Sequence, residues 1–370
     1  MDPTESLGSL GSKENMLVVV VPSSSSSRSV ARQFDWVPVI PSCNMKHGRL
    51  SLVNRDAAVR KLVLILMRNH RKVSGEGKLI GDSFSIGICD HMFGMGKTEF
   101  GHNFVYQCSK LKADDEISVD DIRYISQMRT LYIYFETGSL LEPMTGTKKK
   151  QKADLENVVI DALLKGLSEL GKEFASCIQS DLEKLGPTLR KSSRLLELVM
   201  ERTGGKPIFV VLDEVGGAFD GDEPVTQRRE KFMKFCSLVL GSWLTTPNLH
   251  FLVIGRGDIF DFVGVRPGDA PNVSDSPFMF ERLPLSMINR NKIHEIFDKT
   301  LRWKVRSENG QYVTEDVSLL EYYNFNADEE VKAIDVIMEQ TKGHPRSIFE
   351  MLEKCTSKRD LLNYGDESLQ

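Results

Sequence analysis

The stretch Phe84-Ser-Ile-Gly-Ile-Cys-Asp-His-Met-Phe-Gly-Met-Gly-Lys-Thr98 is an apolar run that leads directly into Gly96-Lys97-Thr98, the second half of a phosphate-binding loop. In such a loop, glycines let backbone N–H groups surround phosphate oxygens, the lysine neutralises the β/γ charge and the threonine hydroxyl binds Mg²⁺. The sequence therefore predicts a strand, a loop and a helix from Glu99 to Leu111 whose N-terminus faces an anion. A bare Gly-Lys-Thr is also compatible with a helix N-terminus that carries an exposed lysine.

The loop departs from the usual pattern at its first position. The pattern has glycine five residues before Gly96, where this chain has His91, so only Gly94 and Gly96 supply positive-φ freedom. We expect this change to affect hydrolysis more than binding. The predicted nucleotide-binding residues are His91, Gly94, Met95, Gly96, Lys97, Thr98, Glu99 and Pro345.

A second motif, Pro207-Ile-Phe-Val-Val-Leu-Asp213-Glu214, is an apolar run closed by two acids, which predicts a buried central strand. Ligands of parallel α/β sheets lie at the carboxyl ends of the strands, where Asp213 would meet phosphates held after Cys89. We expect Asp213 to hold Mg²⁺ together with Thr98, and Glu214 to polarise the attacking water. The alternative is a strand followed by a solvated acidic turn.

Arg256 ends a further predicted strand, Leu249-His-Phe-Leu-Val-Ile-Gly-Arg256-Gly, at the same edge of the sheet. An arginine in this place can stabilise charge that develops on a transferred phosphoryl group. It can equally form a structural ion pair with Asp213 or Asp258. Both interpretations stay open at this stage.

Gly343-His344-Pro345-Arg346 lies between two predicted helices, 330–342 and 347–355. Glycine ends the first helix and proline fits the first turn of the second. Arg346 adds a possible function, because an arginine at the start of a lid helix can reach across a cleft to nucleotide phosphates. We therefore place Arg346 with Glu214 and Arg256 in the predicted catalytic set.

Length and composition limit the class of protein. The chain has 370 residues, of which 41% are hydrophobic, enough for a large core. A net charge of −4 gives no basic bias towards nucleic acid or membrane surfaces. No stretch approaches the roughly 20 apolar residues of a membrane span, and the first fifteen residues lack the features of a signal peptide, so we predict an intracellular protein. Six scattered cysteines, without metal-ligand spacing, predict free buried thiols of a reducing compartment.

The alternation of strands and helices predicts an α/β fold: a parallel P-loop NTPase sheet with helices on both faces and a small C-terminal helical lid. Predicted strands and helices besides those above are strand 130–135 and helices 155–170, 193–202 and 291–301. The predicted division is a flexible N-terminal segment with a serine-rich linker over 1–33, an NTPase core over 34–283, a lid over 284–358 and a polar tail over 359–370.

Two basic segments leave alternatives open. A helix over 53–67, capped by Asn54 or Asp56, carries Arg55, Arg60 and Lys61, which either approach the nucleotide or form a solvated face. The cluster of Lys148, Lys149, Lys150 and Lys152 is either a polyanion-binding or nuclear-import patch or a solvated loop.

Four ordered motifs carry a family resemblance. Gly96-Lys97-Thr98, Leu212-Asp213-Glu214, Gly255-Arg256-Gly257 and Gly343-His344-Pro345-Arg346 together resemble an AAA+/STAND-type P-loop ATPase. More narrowly, the order of Val18-Val-Val-Val-Pro22, a polar linker, the Leu52–Ala58 helix, the phosphate loop and Leu283-Pro-Leu285 resembles the ATPase module of Crinkler effectors of oomycetes and of the related retrotransposon-hot-spot proteins.

The resemblance implies a switch ATPase that uses ATP and Mg²⁺, whose lid reports nucleotide state to a protein partner or to a second copy. For a Crinkler-type effector it also implies secretion and action in the host nucleus. Such effectors carry an N-terminal ubiquitin-like header and often a C-terminal nuclease or kinase-like domain, and we expect neither in this sequence. The alternatives are a non-hydrolysing interaction module that binds nucleotide as a structural ligand, and direct action on nucleic acid through the lysine cluster.

Overall fold

The computed structural model describes most of the chain beyond residue 43 and two short strands before it. The residues it describes are 17–19, 34–36, 43–75, 84–141, 147–186, 189–256, 260, 278–308 and 311–365.

Nine strands occur among the described residues. They are β1 (Leu17–Val19), β2 (Phe34–Trp36), β3 (Phe84–Cys89), β4 (Arg129–Tyr134), β5 (Ile208–Asp213), β6 (Leu249–Ile254), β7 (Phe278–Arg282), β8 (Leu301–Glu308) and β9 (Gln311–Ser318).

The helices alternate with the strands of the sheet and then dominate the C-terminal part. They are α1 (Asp56–Val73), α2 (Lys97–Cys108), α3 (Val119–Ser126), α4 (Lys148–Leu170), α5 (Lys172–Lys184), α6 (Ser192–Arg202), α7 (Val215–Ala218), α8 (Val225–Phe235), α9 (Gly241–Leu244), α10 (Arg290–Lys299), α11 (Leu319–Tyr323), α12 (Ala327–Thr341), α13 (Pro345–Lys354) and α14 (Lys358–Leu362), with a π-helical turn (Cys236–Leu240) between α8 and α9.

Five of the strands form one parallel sheet in the order β4-β5-β6-β3-β7. All six residues of β5 and all six of β6 are buried, as expected for central strands covered on both faces. The strand that precedes the phosphate loop, β3, lies between β6 and β7. The predicted α/β class with a parallel sheet is therefore confirmed.

Side-chain alternation along the strands divides the core into two layers. Val210 and Leu212 of β5 pack on one face with α4, α5, α6 and the α8–α9 segment. Phe209 and Val211 pack on the other face with α1, α2 and α3. Because successive side chains of a strand point to opposite faces, one apolar strand supplies both layers.

A third apolar cluster holds the C-terminal part together. It is built from α10, α11, α12 and α13, with Met45 and Val53 from the segment before α1. Helices dominate this part, as predicted, but it also contains the antiparallel hairpin β8–β9, which the sequence pattern did not predict. The hairpin replaces the end of the helix expected over 291–301, since α10 stops at Lys299.

Two local predictions need correction, and a third falls partly outside the described residues. Neither Asn54 nor Asp56 caps α1, whose N-cap is Arg55 and has no side-chain cap bond. The lysine cluster does not lie in a loop: α4 begins at Lys148, and Lys149, Lys150 and Lys152 are exposed on its first turns. Within the segment over 1–33 that was predicted to be flexible, Leu17–Val19 form β1, which pairs with β2, whereas the serine-rich linker lies outside the described residues.

The sequence predicts free buried thiols, and four of the six cysteines match this prediction in full. All six cysteines are free, with Cys43 and Cys177 partly exposed and the other four buried. No helix among the described residues has the length and apolar content needed to cross a membrane.

The layer between the sheet and α2 makes a first test of the fold. Phe104 is fully buried and its ring centroid lies 4.8 Å from that of Phe209 on β5. We expect Phe104→Ala to lower the free energy of unfolding by about 3–5 kcal/mol, because it removes transfer free energy and leaves a cavity. Urea unfolding measures the change. The control is Val331→Ala on α12, where the side chain is 50% exposed and the expected change is within about 0.5 kcal/mol. Equal losses in the two variants would contradict this packing.

Candidate functional site

The carboxyl ends of three neighbouring strands meet at one edge of the sheet. The phosphate loop follows β3, the Asp213-Glu214 pair ends β5, and Arg256 follows β6. Strands β3 and β6 pair directly, as do β5 and β6. The predicted motifs are therefore brought together by the strand order, at the edge where parallel sheets bind ligands.

The loop has the backbone shape that a phosphate cradle requires. Gly94 and Gly96 have φ of 81° and 79°. The ammonium group of Lys97 donates to the carbonyl oxygens of His91 at 2.6 Å and of Met92 at 3.1 Å. Burial lowers the pKa of Lys97, and the nearby Glu214 and Asp213 carboxylates oppose this shift. The first N–H groups of α2 have no intrahelical partners, so they can bind an anion.

His91 faces away from the loop. Its Nε2 accepts a hydrogen bond from the backbone N–H of Leu285 at 3.3 Å, and burial lowers the pKa of the ring. Because Nε2 accepts, the neutral ring carries its proton on Nδ1, which is buried without a hydrogen-bond partner among the described residues. The imidazole thus contacts the segment that follows β7, and only the backbone of His91 contributes to the loop.

The carboxylate of Asp213 is buried, with the residue 4% exposed, and both of its oxygens accept hydrogen bonds. The Thr98 hydroxyl donates to its Oδ2 at 2.9 Å, the Tyr132 hydroxyl donates to the same oxygen, and the Glu214 backbone N–H donates to Oδ1 at 2.8 Å. The two predicted Mg²⁺ ligands are therefore in direct contact. Mg²⁺ in phosphate sites keeps several waters and binds one or two protein groups besides the phosphates, which suits this pair.

Glu214 and Arg256 are neighbours across the cleft edge. Arg256 Nε lies 3.7 Å from Glu214 Oε2. The backbone of Arg256 lies close to position 216, which must be glycine, because a Cβ there would lie 1.6 Å from the carbonyl oxygen of Arg256. Of the ion pairs that the sequence left open for Arg256, Asp213 is not its partner in this structure and Asp258 lies outside the described residues.

The lid helix α13 is bonded to the phosphate loop. His344 Nε2 donates to the carbonyl oxygen of Phe93 at 3.0 Å, and the Arg346 N–H donates to that of Gly94 at 3.2 Å. The Arg346 guanidinium lies 4.6 Å from the Phe93 ring centroid, and its Nε lies 2.7 Å from Glu350 Oε1. The start of the lid helix therefore lies directly beside the loop.

Arg55 joins the segment between β7 and α10 to the loop from the other side. It is 4% exposed, and its guanidinium donates to the carbonyl oxygens of Met95 at 2.8 Å and Ser286 at 2.7 Å. Burial lowers its pKa to about 10, so it remains charged at neutral pH. Of the two interpretations of this helix, Arg55 is near the loop, whereas Arg60 pairs with Asp114 and Glu116 on the surface.

A cleft of about 420 Å³ lies between the loop, the segment before α1 and the lid. Its volume is in the range of small-molecule sites. Predicted residues that line it are Gly94, Gly96, Lys97, Thr98, Glu99, Glu214, Pro345 and Arg346. Asp213 does not line the cleft but is hydrogen-bonded to Thr98, which does. Arg256 is likewise paired with the lining residue Glu214. The side chains of His91 and Met95 do not line the cleft.

Several residues of the cleft were missed from the sequence. Additional lining residues are Gly48, Leu50, Ser51, Leu52, Val53, Phe93, Ile288, Phe349, Glu350 and Glu353. Tyr132 was also missed, because it lay in a predicted strand without motif character. The apolar residues before α1 and the exposed Phe93 in a glycine-rich loop carry no local signal that distinguishes them from ordinary core or loop residues.

The fold is that of an α/β protein with a parallel sheet, and the loop after β3 has the backbone shape of a phosphate cradle. No protein-family model matches the chain, and no curated protein matches it. The solved structures that are similar include the Aeropyrum pernix ORC2 protein in ADPNP-ADP complexes, with 11% identity, 82% of this chain covered and a TM-score of 0.43. They also include Drosophila ORC bound to AT-rich DNA and Cdc6, with 12% identity, 99% of this chain covered and a TM-score of 0.33. The chain spans 62% and 47% of the lengths of those two chains. Similarity at these scores gives no information about the function of this chain.

The contact between loop and lid can be tested at Gly94. A Cβ at this position would lie 2.5 Å from His344 Cε1 and 2.8 Å from Arg346 Cβ, in addition to the strain of φ 81°. Gly75 has φ 75°, and a Cβ there would have no atom of the described residues within 4 Å, so Gly75→Ala measures the strain alone, about 1–2 kcal/mol. We expect Gly94→Ala to lower the free energy of unfolding by more than Gly75→Ala in urea titrations. Equal losses would show that the lid does not pack against the loop in solution.

Proposed function

We propose that this chain binds ATP with Mg²⁺ in the cleft and hydrolyses it as a nucleotide-dependent switch. The observation that carries the proposal is the hydrogen bond from Thr98 to Asp213 beside Lys97, in a cleft large enough for a nucleotide. Three separate segments of the sequence supply a phosphate loop, an acidic strand end and a lid arginine to this one place.

Binding would use charge and backbone donors together. Lys97 neutralises the β/γ-phosphates, while the N–H groups at the start of α2 donate to phosphate oxygens. Thr98 and Asp213 would hold Mg²⁺, which supplies positive charge to the β- and γ-oxygens when bound. The buried Arg55 adds a positive charge behind the loop. The apolar side chains of Leu50, Leu52 and Phe349 line the same cleft and can exclude water from the adenine base of the nucleotide.

Hydrolysis would use Glu214 to orient the attacking water and accept its proton. Glu214 is 28% exposed at the cleft and forms the N-cap of α7 with φ 55°, which turns it away from the strand that ends at Asp213. Arg256 pairs with it at 3.7 Å. A γ-phosphate would give Arg256 a second anionic partner besides Glu214. Because the phosphate and Glu214 would compete for Arg256, the presence of the phosphate would affect the position of the Glu214 carboxylate.

Switching would use the lid. Arg346 is bound to Glu350 and lies against Phe93, and it is 51% exposed, so its guanidinium has room to turn towards a γ-phosphate. Because His344 and the Arg346 backbone are bonded to the loop, a change in loop shape acts directly on α13. The lid would thus report nucleotide state to a protein partner or to a second copy of the chain.

The order of motifs along the chain and the parallel sheet support membership of the AAA+/STAND class of P-loop ATPases as part of this proposal. The narrower kinship with the Crinkler ATPase module stays a prediction, as do export and action in a host nucleus. Most of the Val18–Pro22 segment on which it depends lies outside the described residues.

One observation favours the alternative of a non-hydrolysing, nucleotide-bound interaction module. The His91 ring is directed to Leu285, so the first position of the loop is tied to the segment after β7. A loop fixed in this way can bind nucleotide without adapting to the transition state. Such a module would be stabilised by ATP through mass action without releasing phosphate.

The proposal is tested with Mg²⁺-dependent phosphate release and calorimetric ATP binding. We expect Lys97→Ala to weaken ATP binding about 10- to 100-fold, because it removes a charged hydrogen-bond donor. We expect Glu214→Gln to leave binding within about 2-fold and to slow turnover about 10²- to 10⁴-fold, since it removes the general base. Lys112→Ala and Glu339→Gln, both at exposed positions, are the matched controls.

The outcomes separate the functions. Equal ATP affinity for wild type and Lys97→Ala would disprove the binding site. ATP binding to the wild type without phosphate release would establish the interaction module instead of the ATPase. Turnover at the wild-type rate in Glu214→Gln would show that another group activates the water.

A further inference from the structure

Tyr132 lies beside the Asp213 carboxylate and belongs to none of the motifs that the sequence supplies. Its hydroxyl donates to Asp213 Oδ2, the oxygen that also accepts from Thr98. This one carboxylate oxygen therefore has two hydroxyl donors from different elements. Asp213 is part of the proposed Mg²⁺ site, so a residue that fixes its orientation affects that site directly.

The register of the sheet places this tyrosine. Strand β4 pairs with β5 so that Tyr132 is opposite Val211 and Tyr134 is opposite Asp213. Tyr132 therefore starts two residues below the carboxylate, on the same face of the sheet, and its long side chain reaches up to Oδ2. A shorter donor at this position, such as serine, would not span that distance.

The ring of Tyr132 is fixed as well as its hydroxyl. It stacks on the imidazole of His102 from α2, with centroids 4.0 Å apart and an interplanar angle of 9°. Burial lowers the pKa of His102 to about 4, so its ring is neutral at physiological pH and adds no charge to the site. From this fixed ring the Tyr132 hydroxyl donates to Asp213 Oδ2.

We propose that Tyr132 is the positioning residue of the Mg²⁺ site: its hydroxyl holds the Asp213 carboxylate in one rotamer beside Thr98, independently of the metal. The Thr98 hydroxyl uses its proton in the hydrogen bond to Asp213, and the lone pairs of its oxygen stay available. Thr98 can therefore bind a cation and keep this hydrogen bond. Tyr132 contributes no ligand itself. Its effect is to preorganise the carboxylate, as hydrogen-bond partners of metal ligands do in other sites. The inference depends on the proposed nucleotide site.

The test replaces the hydroxyl alone. Tyr132→Phe keeps the ring and its stack on His102 but removes the donor. The matched control is Tyr124→Phe, which removes a hydroxyl bonded to Asn248, just before β6, and to His250 on β6. The readout is Mn²⁺ binding measured by electron paramagnetic resonance, in the presence of a non-hydrolysable ATP analogue. The Mg²⁺ dependence of phosphate release is measured on the same proteins.

We expect Tyr132→Phe to weaken Mn²⁺ binding by about 10-fold or more, in the range found for lost partners of metal ligands. Affinity for the analogue in the presence of EDTA stays within about 2-fold. Saturating Mg²⁺ restores the wild-type rate, because the ligands themselves are intact. Tyr124→Phe binds Mn²⁺ as the wild type does.

Equal Mn²⁺ affinity in Tyr132→Phe and the wild type would overturn the inference and leave the proposed function standing. Failure of the wild type to bind the analogue at all would instead disprove the proposed function, and with it the inference. A second variant, His102→Leu, removes the stacked ring and keeps the phenol. It should weaken Mn²⁺ binding less than Tyr132→Phe, and an equal or larger effect would assign the role to packing and not to the hydroxyl.

Discussion

The cleft depends on one buried carboxylate. Asp213 is 4% exposed, and a carboxylate away from water is tolerated only when its oxygens are hydrogen-bonded. Its donors come from three places in the fold: Tyr132 on the neighbouring strand, Thr98 on α2, and the backbone of Glu214 after β5. These bonds fix the distance between the phosphate loop and the acidic strand end, so the geometry proposed for Mg²⁺ exists in the protein alone.

The buried guanidinium of Arg55 connects segments on the lid side of the loop, as Asp213 does on the sheet side. Arg55 donates to the carbonyl oxygens of Asn54, Ser286 and Met95, and thereby joins the start of α1, the segment between β7 and α10, and the phosphate loop. Removing one hydrogen-bond partner from such a buried charge lowers the free energy of unfolding strongly, because the cost of desolvating the charge is then no longer offset. The bonds of His344 and Arg346 to Phe93 and Gly94 connect the lid to the same loop. The loop is thus the common contact of sheet and lid.

The replacement of a loop glycine by His91 has a specific structural consequence. The ring packs outward, accepts a hydrogen bond from Leu285 and leaves the cleft to the backbone and to Lys97. Substitution at this position therefore alters how the loop is anchored more than what it presents to a phosphate. A loop anchored in this way can keep its affinity for a phosphate and still lose the capacity to hydrolyse it.

The sequence by itself determined the parallel α/β sheet, the strand ends that carry Asp213 and Arg256, and the loop with Lys97 and Thr98, because apolar runs, glycines and paired charges act over a few residues. It did not determine the β8–β9 hairpin, the helical position of the lysine cluster, or the burial of Arg55. Tyr132 and the lining residues Leu50 and Phe349 were likewise decided only by the tertiary structure. Their roles arise from strand register and from packing between segments far apart in the chain, and a local pattern carries no information about which distant surface a side chain will meet.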